Sequence, residues 1–375
     1  MCGIAGIISW RHLHQSSIEI QSALDAMAQA LAHRGPDGQG IWTSSQPNDA
    51  TENFAALVHR RLAIIDLPGG HQPMANETGQ VQVVFNGEIY NHVALRQELS
   101  AAGHRFSTDH SDTEVLVHGW EQWGEELPTH LRGMFAFAIY DGWPKSGADA
   151  PVGIWPAGHP DLPTGVGNTL RTNTATLFLA RDRMGQKPLF YALLDDSLVF
   201  GSTIPSVLAW PAVPRRVPRE QVALYLLLGY LPPPHTIYRD ISQLQPGHSL
   251  TLHLRPSGEI TCGHQYWPVS STSGADALVG IMARRPSRSA DEDVGTTTVA
   301  IRQQITAAVA SQLIADVPIT CFLSGGLDSS IIATLMQQAV RQAGGDNASI
   351  QTVSVGFAES RFDETAYAAQ VAAQI

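Results

Sequence analysis

The sequence has few of the residues that define several large protein classes. Cysteine occurs three times in 375 residues, at Cys2, Cys262 and Cys321. The number is odd and no two cysteines form a CxxC pair, which disfavours both a disulfide framework and a zinc cluster. A reducing compartment suits such a chain. We therefore expect a cytoplasmic protein.

Positive charge and long apolar runs are also scarce. The formal net charge is -11, and no run of lysine or arginine stands out. This balance argues against an extended nucleic-acid or anionic-membrane footprint. The longest apolar segment, VALYLLLGYL, is far shorter than the roughly 20 residues of a membrane-spanning helix. We therefore expect small-molecule partners, and neither nucleic acid nor membrane.

The chain does contain many short strand-like runs and a few amphipathic helices in residues 2–212. One helix is indicated by Ile20, Leu24, Met27 and Leu31, with Ser17 as its N-cap. Strands with turn signals between them, together with such helices, are typical of layered sheets covered by helices.

The later part of the chain changes character twice. A segment rich in Pro and Gly near 142–174 lies between two strand-like runs. Its composition predicts a surface insertion. Residues 213–298 are interpreted as a connecting region and linker. Residues 299–375 then alternate helix and strand, which predicts the start of a doubly wound α/β domain with a parallel sheet.

Cys2 is a candidate nucleophile because of its position. Removal of Met1 would place the α-amine, with a pKa of about 7.7–8.0, beside a thiol of about 8.5. One residue would then hold both nucleophile and base. The alternative is a small apolar residue that opens a buried strand.

Five further residues supply what an attack on an amide side chain requires. Asn86 and Gly87 can donate hydrogen bonds to an oxyanion, although Asn-Gly is also a common hairpin turn. Arg61 can bind an amino acid's α-carboxylate, and Glu88 and Asp112 can receive its ammonium. The alternatives are a surface ion pair for Arg61 and a helix N-cap for Asp112.

The segment FLSGGLDSS follows a strand and opens a helix. Gly325 and Gly326 allow backbone N–H groups to surround an anion at the helix N-terminus. Asp328 would repel bare phosphates, so its presence favours phosphates bridged by Mg²⁺. The alternative is a tight turn in which Asp328 caps the helix.

Together these segments resemble the glutamine-hydrolysing asparagine synthetases. The resemblance implies an N-terminal-nucleophile amidotransferase domain, a four-layer αββα sandwich, followed by part of an ATP-pyrophosphatase domain of the adenine nucleotide alpha hydrolase type. The motifs that carry it are, in order, MCGIAGI, HRGPDGQG, HRRLAIID, FNGEIYN, SDTEVL, GMFAFAIYD, RDRMGQKPLFY, FLSGGLDSS and RFDETAYAAQVA.

The resemblance also implies roles for individual residues. Cys2 would form a thioester with glutamine, with Asn86 and Gly87 as the oxyanion hole. The residues that would bind glutamine are Arg61, Ile64, Ile65, Asn86, Gly87, Glu88 and Asp112. Those that would bind ATP are Leu323, Ser324, Gly325, Gly326, Leu327, Asp328, Ser329 and Val355, with Mg²⁺ held at Asp328 through the phosphates.

The implied enzyme is a carbon–nitrogen ligase of asparagine biosynthesis. Aspartate would be adenylated and then amidated by ammonia, with ATP and Mg²⁺ as requirements and no organic prosthetic group. The sequence leaves the oligomeric state open, although the resemblance brings in the homodimer that is common among such relatives. Because the chain stops at Ile375, one helix after SVGF, it is expected to be a fragment, with the synthetase domain cut short. A different carboxylate acceptor, or a non-catalytic scaffold with the same fold, are the alternatives.

Overall fold

The chain forms two compact units, residues 1–268 and 269–375. The computed structural model describes residues 1–11, 13, 15–44, 54–142, 175–254, 260–267, 290–345 and 348–375. The predicted insertion, apart from residue 142, and the part of the predicted linker at 268–289 lie outside the described residues.

The first unit contains two six-stranded sheets. Its strands are β1 Gly3–Ser9, β2 Gly38–Thr43, β3 Phe54–Arg61, β4 Met74–Ala75, β5 Val81–Ile89, β6 Gly133–Asp141, β7 Ala175–Arg181, β8 Phe190–Leu193, β9 Ser197–Gly201, β10 Ser242–Gln243, β11 His248–Leu254 and β12 Ile260–Gln265. Sheet A has the order β10-β8-β9-β1-β3-β2 and sheet B the order β12-β11-β7-β6-β5-β4. All of their strand pairs are antiparallel.

Helices lie outside the two sheets. They are α1 Ser17–Ala30, α2 His92–Ala101, α3 Glu114–Trp123, α4 Leu127–His130, α5 Ile204–Leu208 and α6 Arg219–Leu228. Leu24 and Met27 of α1 pack on sheet A with Ile7. Leu99 of α2 and Val115 of α3 pack on sheet B.

A third cluster fills the space between the sheets. Ile4 and Ile8 of sheet A contact the layer that contains Val84, Ala138 and Leu179 of sheet B. Alternating residues along β1 therefore face either the opposite sheet or α1, as a two-residue period requires. The predicted αββα layering is confirmed.

Helix α1 shows its expected apolar face but starts differently. Ile20 and Leu24 are buried. The N-cap is Ser16, whose hydroxyl accepts the Glu19 N–H at 3.3 Å, while the Glu19 carboxylate accepts the Ser16 N–H at 2.8 Å. The prediction of Ser17 as N-cap is wrong, because the reciprocal box of Ser16 and Glu19 satisfies the first-turn donors one residue earlier.

The first unit also extends beyond the predicted boundary at residue 212. Strand β10 pairs with β8, and β11 pairs with β7 from Ser249↔Ala180 to Leu254↔Ala175. Part of the predicted connecting region thus completes both sheets.

The second unit has a parallel strand pair, as predicted. Strand β13 Thr320–Phe322 pairs with β14 Gln351–Val353, and the helices are α7 Ala290–Ser311, α8 Leu327–Gly344 and α9 Thr365–Ala372. Within the described ranges of both units, no helix combines the length and apolar character that a membrane crossing needs.

Candidate active site

Cys2 lies directly before β1 and beside the residue that follows β3. Its Sγ is 3.4 Å from the Leu62 nitrogen and 3.5 Å from the Leu62 oxygen. Burial raises the pKa of the Cys2 thiol, and the Leu62 N–H lowers it in part. The thiol is therefore protonated at neutral pH and needs a base to become a nucleophile.

The nearest amine is that of the N-terminus. Burial lowers the pKa of the Met1 α-amine, and the positive charges of Lys187 and Arg34 lower it further. An amine in this position is therefore more readily neutral, as a proton acceptor must be.

Strand β5 carries the predicted oxyanion donors along its middle. Asn86 and Gly87 pair with Ala136 and Phe135 of β6. They do not form a hairpin turn, because the strand continues through both residues to Ile89. The hairpin alternative is thereby removed for these two residues.

Beyond its short pairing with β4, β5 has an edge that faces away from β6 and carries backbone N–H groups. The Phe85 N–H donates to Gln72 Oε1 at 2.6 Å, and the Ile89 N–H donates to Asp112 Oδ2 at 3.1 Å. Both point away from β6. In an antiparallel pair, residues two apart point the same way, so the Gly87 N–H lies on the same edge between two occupied donors.

The Asn86 side chain is buried without a hydrogen-bond partner. It is 1% exposed, and neither Oδ1 nor Nδ2 has a partner among the described residues. Buried amides are normally satisfied. An exception beside an open backbone donor is a feature of a site that receives a polar ligand.

Glu88 and Asp112 form an acidic pair near Cys2. Burial raises the pKa of Glu88 to about 8, and the charge of Asp112 raises it as well. Burial also raises the pKa of Asp112 to about 6. Both carboxyls raise the pKa of the Cys2 thiol, so the three groups share one field. Such a pair is relieved by a bound cation.

Arg61 ends β3 and is buried. Its Nη1 donates to the backbone oxygen of Leu67 at 2.8 Å, and its Nη2 donates to the backbone oxygens of Asp66 at 2.6 Å and Ile65 at 3.4 Å. The guanidinium therefore holds the loop that follows β3, which makes a surface ion pair the wrong alternative. Its predicted contact with a substrate carboxylate stays a prediction, as do those of Ile65, which is buried, and Ile64, which is half-buried.

Two cationic residues beside the thiol were not identified as site residues from the sequence. Arg34 Nε donates to the Cys2 oxygen at 2.9 Å, and its buried Nη2 has no partner in the described part of the chain. Lys187 is buried, and the charges of both Glu88 and Cys2 act on its ammonium. Arg34 lies in the motif HRGPDGQG and Lys187 lies in the motif RDRMGQKPLFY. Nothing in the spacing of either motif assigned a role to these residues.

The serine and glycine loop of the second unit stands at the N-terminus of α8. Gly325 has φ +83°, and a Cβ there would lie 2.6 Å from the Ala368 nitrogen. Ser324 Oγ lies 3.0 Å from Ser329 Oγ and accepts the Gly326 N–H at 3.2 Å. Asp328 is exposed in the first turn of the helix. The loop is thus an exposed turn rich in hydroxyl and N–H groups.

The apolar residues in the predicted ATP-binding set differ in exposure. Leu323 is buried in the core of the second unit, and Ser354 donates to its oxygen at 2.6 Å. Val355 is 61% exposed, and Leu327 is 76% exposed. The side chain of Leu323 is therefore enclosed by the core, and its backbone N–H already donates to the Val353 oxygen at 2.9 Å.

Comparison with known families gives two matches along the chain. A glutamine amidotransferase domain matches residues 1–148 and 170–267. An asparagine synthase model matches residues 300–375. The gap in the first match lies inside the predicted insertion.

Similar curated proteins carry related names. Asparagine synthetase [glutamine-hydrolyzing] 3 of Bacillus subtilis is 33% identical over 363 residues, which are 96% of this chain and 49% of that protein. Asparagine synthetase [glutamine-hydrolyzing] 1 of the same organism is 31% identical over 375 residues, 100% of this chain and 49% of that protein. Amidase chry2 of Gibberella zeae is 29% identical over 376 residues, 97% of this chain and 47% of that protein.

The chain spans about half the length of the curated relatives it matches. Among solved structures, a glutamine phosphoribosylpyrophosphate amidotransferase from B. subtilis aligns with 17% identity and a TM-score of 0.40, covering 94% of this chain and 65% of the other. That similarity is too low to add to the assignment. The ordered family matches show that the chain belongs to the asparagine synthase family, with an N-terminal-nucleophile glutamine amidotransferase domain followed by a segment of an asparagine synthase domain.

Proposed function

We propose that the first unit hydrolyses glutamine to glutamate and ammonia, with Cys2 as the nucleophile. The observation that carries the proposal is the buried Asn86 amide, which has no hydrogen-bond partner among the described residues. The Gly87 N–H on the next residue of β5 points to the edge away from β6. Glu88 on the same strand acts on the Cys2 thiol, which links the donors to the nucleophile.

The proposed reaction begins after Met1 is removed. The α-amine of Cys2 accepts the thiol proton, and Sγ attacks the amide carbon of glutamine. Asn86 Nδ2 and the Gly87 N–H stabilise the oxyanion. The carbon–nitrogen bond breaks as the amine returns the proton to the leaving nitrogen, and ammonia departs. Water then hydrolyses the thioester to glutamate and restores the thiol.

Binding of the amino-acid end uses the acidic pair. The α-ammonium of glutamine lies between Glu88 and Asp112, where its positive charge offsets the burial and the Asp112 charge that together raise the Glu88 pKa. The donors of Arg61 that the loop carbonyls leave free serve the α-carboxylate.

The test is selective labelling of the N-terminus. The chain is incubated with a diazoketone analogue of glutamine, and the N-terminal peptide is analysed by mass spectrometry. We expect Met1 to be absent and the label to sit on Cys2, with Cys262 and Cys321 unlabelled and excess glutamine protecting Cys2. A retained Met1, or equal labelling of all three cysteines, would favour the scaffold alternative and contradict the proposal.

For the second unit we propose ATP binding at the Ser324–Ser329 loop, in support of asparagine synthesis from aspartate. The N-terminus of α8 and the exposed Asp328 fit a nucleotide phosphate with Mg²⁺, which would neutralise phosphate charge when bound. The proposal is supported by the names of the Bacillus relatives. The amidase relative supports the alternative of another acceptor.

Calorimetric titration of the chain with Mg-ATP tests the nucleotide proposal. Gly325→Ala is expected to lose binding, since its Cβ would clash with the backbone of α9. Binding that is equally tight in this variant would place the nucleotide elsewhere. Pyrophosphate release dependent on aspartate, compared with other carboxylates, decides the acceptor.

A further inference from the structure

Three side chains in the helix layer over sheet B direct ligand atoms toward one another. His104 lies in the connection between α2 and α3, and His118 and Glu121 lie on α3. One ligand atom from each lies within 4.8 Å of the others. The Nδ1 atom of His104 is 3.5 Å from Glu121 Oε2, and the Nδ1 atom of His118 is 3.3 Å from the same oxygen.

The second ring nitrogen of each histidine has an oxygen neighbour outside this trio. His118 Nε2 is 3.7 Å from Glu114 Oε1, and His104 Nε2 is 3.2 Å from Gln122 Oε1. Histidines that bind metals characteristically donate their other ring N–H to a carboxylate or amide oxygen, which fixes the ring and its tautomer. Both imidazoles therefore present Nδ1 to Glu121.

The carboxylate of Glu121 is oriented in the same way. Asn76 Nδ2 donates to its Oε1 at 2.8 Å. This contact leaves Oε2 as the oxygen that faces the two imidazoles.

The separations fit a small tetrahedral ion. Zinc–ligand bonds of about 2.0–2.1 Å give a distance of about 3.3–3.4 Å between neighbouring ligand atoms. The Nδ1 atoms of His118 and His104 lie 3.3 Å and 3.5 Å from Glu121 Oε2, close to that value. The side chain of His118 is 2% exposed and that of Glu121 is 21% exposed, so the cluster is buried on one side and open on the other.

We propose that His104, His118 and Glu121 bind a divalent transition-metal ion of the zinc type, with water in the fourth position. The ion fastens the α2–α3 connection to α3, the helix that follows Asp112. Its role is structural, and it does not depend on the proposed glutaminase chemistry. The competing occupant is a proton on His118 shared with its two carboxylate neighbours.

The test is titration with Co²⁺, whose visible absorption reports tetrahedral coordination. The 375-residue chain is prepared without a polyhistidine tag, in a Cys2→Ala background that removes a competing thiol, and is treated with a chelator. We expect one equivalent of Co²⁺ to bind, Zn²⁺ to displace it, and Zn²⁺ to raise the Tm.

Variants assign the ligands. His104→Ala and Glu121→Gln are expected to abolish saturable binding. Gln122→Ala, which removes only the oxygen neighbour of His104, is expected to weaken binding about 10- to 100-fold. His264→Ala, an exposed histidine on β12, is the matched control and is expected to bind normally.

Absence of saturable Co²⁺ binding to the chelator-treated chain would overturn the proposal in favour of the proton. So would an affinity that is the same in Gln122→Ala and the parent chain. Circular dichroism shows whether each variant folds. If His104→Ala or Glu121→Gln fails to fold, the affinity of Gln122→Ala for Co²⁺ decides between the metal and the proton.

Discussion

At the scale of single residues, Asn86 places a whole amide group in the interior without a partner in the described structure. An unsatisfied buried polar group destabilises a protein by about 1–3 kcal/mol. A fold retains such a group most readily where a ligand supplies the missing partner. We therefore expect the Asn86 amide to contribute to the chemistry of the site and not to the stability of the fold.

Asn86→Ala should therefore lower the glutaminase activity without lowering the stability of the protein. We expect kcat for glutamine to fall about 10²- to 10³-fold, as for loss of one oxyanion donor. The Tm should not fall, because no hydrogen bond is lost. Steady-state ammonia release and thermal unfolding measure the two effects. A large fall in Tm with matching loss of folded protein would instead make Asn86 a structural residue.

The raised carboxyl pKa values predict proton release on binding. At pH 7 Glu88, with a pKa of about 8, is mostly protonated, and a bound ammonium favours its ionised form. Binding of glutamine should therefore release protons from these carboxyls. The affinity for glutamine should increase as the pH rises from about 6 to about 8.

Calorimetry in two buffers of different ionisation heat measures this release, with Cys2→Ala to prevent turnover. Glu88→Gln should remove most of it. Proton uptake on binding would show that the acidic pair does not receive the ammonium.

The sequence supplied several of these residues but not all. Cys2 could be singled out because a thiol at the second position has little packing value, and the acidic pair because its partners follow from an amino-acid substrate. Arg34 and Lys187 could not be singled out. Their relevance depends on long-range proximity to Cys2, which only the pairing of β1 with its neighbours creates.

At the scale of elements, the helix periods were clear and the cap positions were not. Ile20 and Leu24 mark the buried face of α1 in the sequence alone. Either of two adjacent serines could be the N-cap in the sequence. Ser16 is the N-cap in the structure, because the Glu19 side chain accepts the Ser16 N–H. Strands β11 and β12 were missed because their pairing with β7 and each other links segments far apart in sequence.

Ser16→Ala tests the capping assignment. We expect the free energy of unfolding to fall by about 1 kcal/mol, because the Glu19 N–H loses the hydroxyl that accepts it. Chemical denaturation measures the change. Ser16→Thr is the control and should retain most of the stability, since threonine also forms the box. Equal losses in both variants would argue against the cap.

At the scale of the whole molecule, every proposed glutaminase residue lies in the first unit. That unit has buried clusters of its own between and outside its two sheets. Sheets covered by helices were predictable because strand period and helix period differ, whereas the four-layer order came from the family resemblance. The C-terminal boundary of the first unit was not predictable from the sequence. The strands that complete both sheets follow a stretch whose composition is typical of a connection.

Residues 1–268 alone should therefore fold and hydrolyse glutamine. We expect kcat/KM for glutamine to match that of the 375-residue chain, since no proposed site residue is removed. Circular dichroism and ammonia release are the measurements. A folded first unit without activity would show that the second unit contributes to the glutaminase site.

The central claim is that the sulfur of Cys2 carries out the attack on glutamine. The most direct measurement is ammonia release by the Cys2→Ala chain compared with the unaltered chain at equal concentration, with Cys321→Ala as the matched control. We predict that Cys2→Ala releases no ammonia above background and that Cys321→Ala releases it at the normal rate. Ammonia release by Cys2→Ala at the rate of the unaltered chain would contradict the account.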